Sequence, residues 1–379
     1  MNLESLAIEN FRLLRRVKVE LAEGANLFIG ENAQGKTTIL EAVSCLARGR
    51  SFRTTRDREM IARNTEGVTS AEGRWSARGT RHAVRVAITP QGKSFWLDGK
   101  PMRRLGDLWG RVNVVTFVPE DLELVRGGPA ERRALVDSLL AQSSAHNLAT
   151  MQRYKTALGH RNAMLRSGNS GGAQFDAYEA QMADYGAQFL AARDALLSDF
   201  IPVAMEQLIK LTGGSEEFVL RHEAGWPASA KFYDAASADK PPDAEQLARW
   251  WRDNRAADGD RGFTQHGPHR ADIALMLDGQ DARSFASQGQ TRTIALSLRL
   301  AERAMIEKLS GEPPVLLLDD VLGELDKRRS QLFVRLLSQP GVQSLLTATD
   351  AAALESELPI AARFNVRAGE VSPIRPQRP

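Results

Sequence analysis

The eight residues Gly30-Glu31-Asn32-Ala33-Gln34-Gly35-Lys36-Thr37 satisfy the pattern GxxxxGK[ST], and few architectures can present it. In such a loop the glycines let backbone N–H groups turn inward around phosphates, the lysine reaches the β- and γ-phosphates, and the terminal hydroxyl is a ligand for Mg²⁺. The geometry requires a strand before the loop and a helix after it. Both are legible: Ala25 to Ile29 reads as a strand, and Thr37 to about Ala47 as a helix whose core face carries Ile39, Leu40, Val43 and Leu46. The expected bound species are ATP and Mg²⁺, with Gly30, Glu31, Asn32, Ala33, Gln34, Gly35, Lys36, Thr37 and Thr38 around the phosphates. A glycine turn that merely opened a helix would leave Lys36 without a role.

A phosphate loop also needs a carboxylate at the end of a neighbouring buried strand. Val315 to Leu318 is a run of four apolar residues, read as a strand covered on both faces, and it ends in Asp319 and Asp320. Asp319 would hold Mg²⁺ through water, and Asp320 would orient or deprotonate the attacking water. Further upstream, Ala286-Ser287-Gln288-Gly289-Gln290 opens a long amphipathic helix. A serine and a glycine at a helix N-terminus suit an anion, although by themselves these residues favour an ordinary N-cap by Ser287.

Strands are expected at Ser5 to Phe11, Val17 to Leu21, Ala83 to Thr89, Ser94 to Leu97 and Asn113 to Val118, giving a sheet that is partly antiparallel. From about Glu120 the pattern is helical. Phe175, Tyr178, Met182, Tyr185, Phe189, Ala192 and Leu196 alternate three and four apart, as do Met151, Tyr154, Leu158 and Leu165 apart from an interruption at Arg161. The segment Ser167 to Gly172 is a flexible turn between them, so the spacing predicts an antiparallel helical hairpin with arms about 30 Å long. Residues 223 to 262 read as surface loops around a short helix near Trp250 and Trp251. Strand and helix signals return with Ile273 to Leu277 and Gln290 to Leu309. The fold class expected is α/β, a phosphate-loop ATPase head of mixed sheet and helices with an inserted helical lobe. Its divisions would be residues 1–119, 120–267 and 268–379.

One cysteine, Cys45, excludes an internal disulfide and a cysteine-based zinc site, and its apolar neighbours mark it as a core residue. The six histidines form no metal-ligand pair. His269 follows the turn Gly267-Pro268, where a catalytic and a structural role are both open. No apolar stretch is long enough to cross a bilayer, no membrane partner is expected, and the default compartment is the cytoplasm. Charge is uneven: residues 1–110 hold 19 Lys and Arg against 12 Asp and Glu, and the remainder 31 against 35. The densest basic run, Arg48, Arg50, Arg53, Arg56, Arg58 and Arg63, would attract a phosphate backbone or simply be a solvated face.

Taken in order, these motifs resemble the RecF family, a branch of the ATP-binding-cassette superfamily related to SMC heads. The residues that carry the resemblance are Asn10-Phe11-Arg12, Gly30 to Thr37 with Glu41-Ala42, Gly49 to Arg53, Val118 to Leu122, Gly128 to Arg133, Gly267 to Arg270, the segment around Ser287, and Leu317, Asp319 and Asp320 leading to Gly323-Glu324-Leu325-Asp326. They run from end to end of the chain.

The resemblance implies a two-lobed monomer that dimerises on ATP, each nucleotide sandwiched between the loop of one copy and Ser287 of the other. Arg12, Ser287, Gly289 and Gln290 would then join the nucleotide contacts, and Asp326 would face the partner. It further implies DNA, single- or double-stranded and with a gap or junction, as ligand, with Arg48, Arg50, Arg53, Arg56 and Arg58 as contacts. The mediator RecR, with RecO, would be the protein partner in replication and recombinational repair. Gln288 where transporter cassettes have glycine, and Asp320 where many have glutamate, predict slow hydrolysis. The rival class, an ATPase energising a transporter or another non-DNA machine, is disfavoured by the helical insertion after Glu120. A purely structural tether is disfavoured by its short arms.

Overall fold

The computed structural model describes residues 1–63, 67–108, 111–214, 216–227, 230, 241–320, 327–350 and 352–374. In chain order, the first elements are β1 (Asn2–Phe11), β2 (Leu14–Glu20), β3 (Ala25–Ile29), α1 (Lys36–Arg48), β4 (Thr69–Ala77), β5 (Thr80–Thr89), β6 (Gly92–Leu97), β7 (Lys100–Pro101) and β8 (Val114–Phe117). The middle holds α2 (Glu123–Arg126), α3 (Pro129–Ser143), α4 (Ala145–Arg166), α5 (Ala173–Thr212), β9 (Phe218–Glu223), α6 (Ala244–Asp253), α7 (Arg255–Arg261), β10 (Asp272–Leu277), β11 (Gln280–Asp281), α8 (Ala282–Phe285) and α9 (Gln288–Ser310). The chain closes with β12 (Val315–Asp319), α10 (Lys327–Leu337), β13 (Ser344–Ala348), α11 (Ala352–Glu357), β14 (Ile360–Arg367) and β15 (Glu370–Pro373).

Contacts divide these elements into two units, residues 1–121 with 302–379, and residues 122–301. In the first unit the strands form two sheets where one partly antiparallel sheet was expected. Strands with alternating burial make the antiparallel sheet β2-β1-β4-β5-β6-β7. The apolar, buried strands β3, β13, β12 and β8 make the other, completed at one edge by the more exposed β14 and β15, in the order β15-β14-β3-β13-β12-β8 with its inner strands parallel. The separation follows from burial: β8, β12 and β13 are buried at every residue and need cover on both faces. β4 escapes the sequence pattern because its inward positions Ala71, Gly73 and Ala77 are small, leaving Trp75 to carry the hydrophobic signal.

Helix α1 packs on both sheets, and 11 of its 13 residues are buried. The sequence suggested one apolar face; the structure shows a helix enclosed on all sides. Its neighbours in the core include Leu3, Ile8, Trp75 and Val86 from the antiparallel sheet, and Val315, Leu317 and Leu345 from the parallel one. Cys45 lies in this core, and burial pushes its thiol up to about 12.

The second unit contains the expected hairpin, α4 against α5, with the turn at residues 167–172. The 22 residues of α4 match the expected arm, but α5 has 40, about 60 Å at the helical rise. It passes through Pro202 because its buried stripe continues as Phe200, Ala204, Leu208 and Leu211. Phe175, Met182, Phe189 and Leu196 line the seam, whereas Tyr178 stacks on His160 and Tyr185 receives the guanidinium of Arg153. Arg161, the apparent interruption, is fully buried. It binds Glu179 (3.1 Å), Asp258 (2.8 Å) and the Thr264 hydroxyl (2.7 Å), so it ties α4 to α5 and to the segment after α6.

The three-stranded sheet β11-β10-β9 also belongs to this unit. Pairing of β10 with β9, and the bidentate pair of Arg132 on α3 with Asp272 (2.7 and 2.8 Å), hold residues after 267 with the helices. The boundary therefore falls at 301/302 rather than at 267/268. The Arg161 network gives a stability test: Arg161→Met leaves buried carboxylates short of a partner and should cost roughly 3–5 kcal/mol in urea unfolding. A loss below about 1 kcal/mol, the range of exposed pairs, would mean the network is screened by water.

Candidate functional site

The loop from Gly30 to Gly35 leaves β3 and enters α1 with Gly35 at φ 114°, a left-handed conformation open to glycine. A β-carbon on Gly30 would lie 2.2 Å from the Val366 carbonyl oxygen, so the loop sits too close to β14 for any side chain there. The side-chain oxygen of Gln34 accepts from Ala368 N (2.6 Å), and its carbonyl accepts from Gly369 N (3.1 Å). These bonds pin the loop to the β14–β15 turn. Glu31, Asn32 and Ala33 are exposed, while the Thr38 side chain is buried in the α1 core.

Lys36 Nζ donates to the carbonyls of Gly30 (2.6 Å) and Glu31 (3.0 Å). Burial lowers its pKa, opposed by the negative charges of Asp320 and Asp319. Thr37 Oγ1 lies 2.8 Å from both carboxylate oxygens of Asp319. The Thr347 hydroxyl, at the end of β13, donates to Asp319 Oδ1 (2.7 Å) and accepts from Asp320 N (3.0 Å). Parallel register explains the meeting: β3, β13 and β12 end together, which brings the loop, Thr347 and the acidic pair to one edge. Asp319 is buried, whereas Asp320, at φ 53°, is exposed.

Thr347 and Glu120 were not singled out in the sequence. Thr347 lies at the end of β13, beside Asp319 in the parallel register. Glu120 comes three residues after β8, which runs parallel to β12, and its pKa is raised, chiefly by burial and further by Asp319, against the opposing charge of Arg53.

Arg12, also in the left-handed region, forms a two-pronged pair with buried Glu41 (2.6 Å on both prongs). The basic run separates. Arg48 is held by Glu302 and by the Thr116 hydroxyl (3.4 Å), with its side chain 12% exposed, so it is a structural cation and not part of a free basic surface. Arg50, Arg53, Arg56 and Arg58 are exposed. Arg53 lies 3.6 Å from Glu41, Arg56 lies 3.8 Å from Glu59, and Arg58 Nε donates to the Pro90 carbonyl (3.2 Å).

In the second unit, Ser287 realises the N-cap: its hydroxyl accepts from Gln290 N (3.3 Å), and Gln290 Oε1 accepts from Ser287 N (2.7 Å). The other end of the Gln290 amide donates to Glu216 (2.7 Å). Gln290 is thus engaged at both ends of its amide, in the cap and with Glu216. Ser287, Gln288 and Gly289 remain exposed at the start of α9. Asp326 lies outside the described residues.

His269 is structural. The Thr264 carbonyl can only accept, so Nε2 donates to it (3.0 Å) and Nδ1 accepts from the Tyr154 hydroxyl (2.7 Å). Burial lowers its pKa to about 4. Because the unfolded chain protonates near 6.5, stability is full above that pH and falls as the pH drops towards 4, by at most about 3 kcal/mol. Urea unfolding of wild type and His269→Gln at pH 7 and pH 4.5 should show a smaller acid loss in the variant; equal losses would remove His269 from the effect.

The family model for the RecF/RecN/SMC N-terminal domain matches residues 2–369. The DNA replication and repair protein RecF of Synechococcus sp. (strain JA-2-3B'a(2-13)) is 35% identical, the match covering 98% of each chain. A solved structure of the recombination mediator protein RecF with ATP, from the RecFOR pathway, superposes with a TM-score of 0.86 at 29% identity, covering 98% of this chain and 97% of that one. An Smc head domain from Pyrococcus furiosus shares the fold, with a TM-score of 0.55 at 15% identity, covering 98% of this chain and 95% of that one. With the phosphate loop, the acidic strand end and the helical insertion in the positions that this head fold requires, the chain belongs to the RecF family.

Proposed function

We propose that this chain is an ATP-switched DNA-binding protein of replication and recombinational repair, with the phosphate loop as the switch. The observation that carries the reading is the closure of the Thr37 and Thr347 hydroxyls around the Asp319 carboxylate, whose charge acts on Lys36. Thr37 and Asp319 offer hard oxygen ligands 2.8 Å apart, which suit Mg²⁺ shared with phosphate oxygens. When bound, that ion would neutralise charge developing on the phosphates. Lys36 supplies positive charge to the β- and γ-phosphates, Thr347 fixes the orientation of Asp319, and exposed Asp320 orients water. The short reach of an aspartate at this position supports a weak ATPase that times a bound state.

Ser287 and Gly289, exposed at the start of α9, fit the role of closing the nucleotide site of a second copy. Ser287→Arg should leave ATP binding intact and abolish the ATP-induced dimer in light scattering; a dimer that forms as in wild type would leave Ser287 as a cap alone.

Arg50, Arg53, Arg56 and Arg58 are the DNA-contacting candidates, and the kinship with RecFOR-pathway proteins supports a recombination mediator, RecR with RecO, as partner. The test is binding of a gapped duplex with and without ATP across a salt series. Four arginine–phosphate contacts predict a slope of log K against log salt of roughly −3 to −4, with Lys36→Met losing the ATP-dependent part. Absence of DNA affinity at low salt in the ATP-loaded protein would sink the reading.

A further inference from the structure

Glu41 lies one turn beyond the phosphate loop on α1, and its side chain is 0% exposed. Three groups converge on its carboxylate. Arg12, from the β1–β2 turn, occupies both oxygens. The Ser51 hydroxyl donates to Oε1, and Arg53 approaches Oε2 at 3.6 Å. Ser51 Oγ in turn accepts the N–H groups of Arg53 (2.9 Å) and Thr54 (3.1 Å), which fixes the start of the exposed segment bearing Arg53, Arg56 and Arg58. The turn bearing Arg12 rests on the loop itself, for a β-carbon on Gly35 would meet Leu14 at 2.9 Å and Leu13 at 3.1 Å.

The charges do not balance within this cluster. One buried carboxylate serves two guanidiniums: Arg12 holds it with two short bonds, while Arg53, 38% exposed, has only the longer approach. Because the turn that carries Arg12 rests against Gly35, an anion bound at the phosphate loop would compete with Glu41 for Arg12. Whatever share of Arg12 it takes, the carboxylate recovers by drawing in Arg53 and the Ser51 turn, because a buried carboxylate left without a cation is costly.

From this cluster we infer that Glu41 is a positioning residue that transmits occupancy of the phosphate loop to the basic segment at residues 50–58. The inference rests on the ATP reading above, and it gives that reading a route from nucleotide to DNA. Glu41 and Ser51 are buried and lie outside the phosphate loop. Their part is to set where the exposed arginines stand.

Limited trypsin digestion of the full chain tests this without DNA, because the segment carries its own cleavage sites after Arg50, Arg53, Arg56 and Arg58. With Mg²⁺ and a non-hydrolysable ATP analogue, cleavage there should change by at least about fivefold in wild type, the lower end of ordinary site-to-site coupling. The double variant Ser51→Ala/Arg53→Gln removes both links of the segment to the carboxylate while leaving the buried pair with Arg12 in place. It should bind the analogue and dimerise as wild type does, yet be cleaved after Arg56 and Arg58 at the same rate with and without it. Glu41→Gln should behave likewise where it folds, and the double variant decides alone where it does not. An analogue effect preserved in the double variant, one absent from wild type, or lost analogue binding in the double variant would each overturn the coupling. A wild-type segment that responds to the analogue while DNA affinity ignores it supports the coupling and counts against the DNA reading instead.

Discussion

Enclosure of α1 between two sheets is the constraint on which the rest depends. A helix buried on every side has no solvent face on which a polar group can find water, so each polar group it carries must find a protein partner or a ligand. Thr37 is paired to Asp319, Glu41 to Arg12 and Ser51, and Lys36 to two carbonyls of its own loop. The phosphate loop is thus the entrance to a helix with 11 of its 13 residues buried, and its chemistry is specified by the same contacts that hold the core.

That packing also fixes what can move. β3, β12 and β13 are locked side by side in parallel register, and their ends carry the loop, the acidic pair and Thr347. At its rim lie the turn with Arg12, the stretch from Ser51 to Arg58 and the exposed Asp320, joined to the frame by bonds to side chains, Glu41 for the first two and Thr347 for the third. Stability elsewhere comes from a different source. In the second unit the hairpin is cross-braced by buried charge, Arg161 with Glu179 and Asp258, and by the neutral Tyr154–His269 pair.

The glycine loop and the acidic strand end were legible in the chain as a string, and some of their surroundings were not. Gly30 to Thr37 and Asp319-Asp320 could be read because each needs only a local pattern, a glycine loop after a strand or acids after an apolar run. The strand β4 could not, since Ala71, Gly73 and Ala77 carry little hydrophobic signal; β9 was missed too. Arg161 looked like a break in a heptad and proved to be its most connected residue, because a buried arginine is recognised only by the acids that surround it, 18 and 97 positions away. Arg48 looked like one of a basic run and proved to be paired with Glu302, 254 positions along the chain.

The sequence by itself determined that a phosphate loop would follow a buried strand, that acids would stand at the end of another, and that a helical hairpin would be inserted between them. These are consequences of local periodicity and of residues whose chemistry has few alternatives. Only the tertiary structure decided which strands share a sheet, which arginines are free, that Thr347 orients Asp319, and that Ser287 and Gln290 close a cap. Each of those depends on which distant group supplies a charge or a hydrogen-bond partner, and that is fixed by packing rather than by neighbours in the chain.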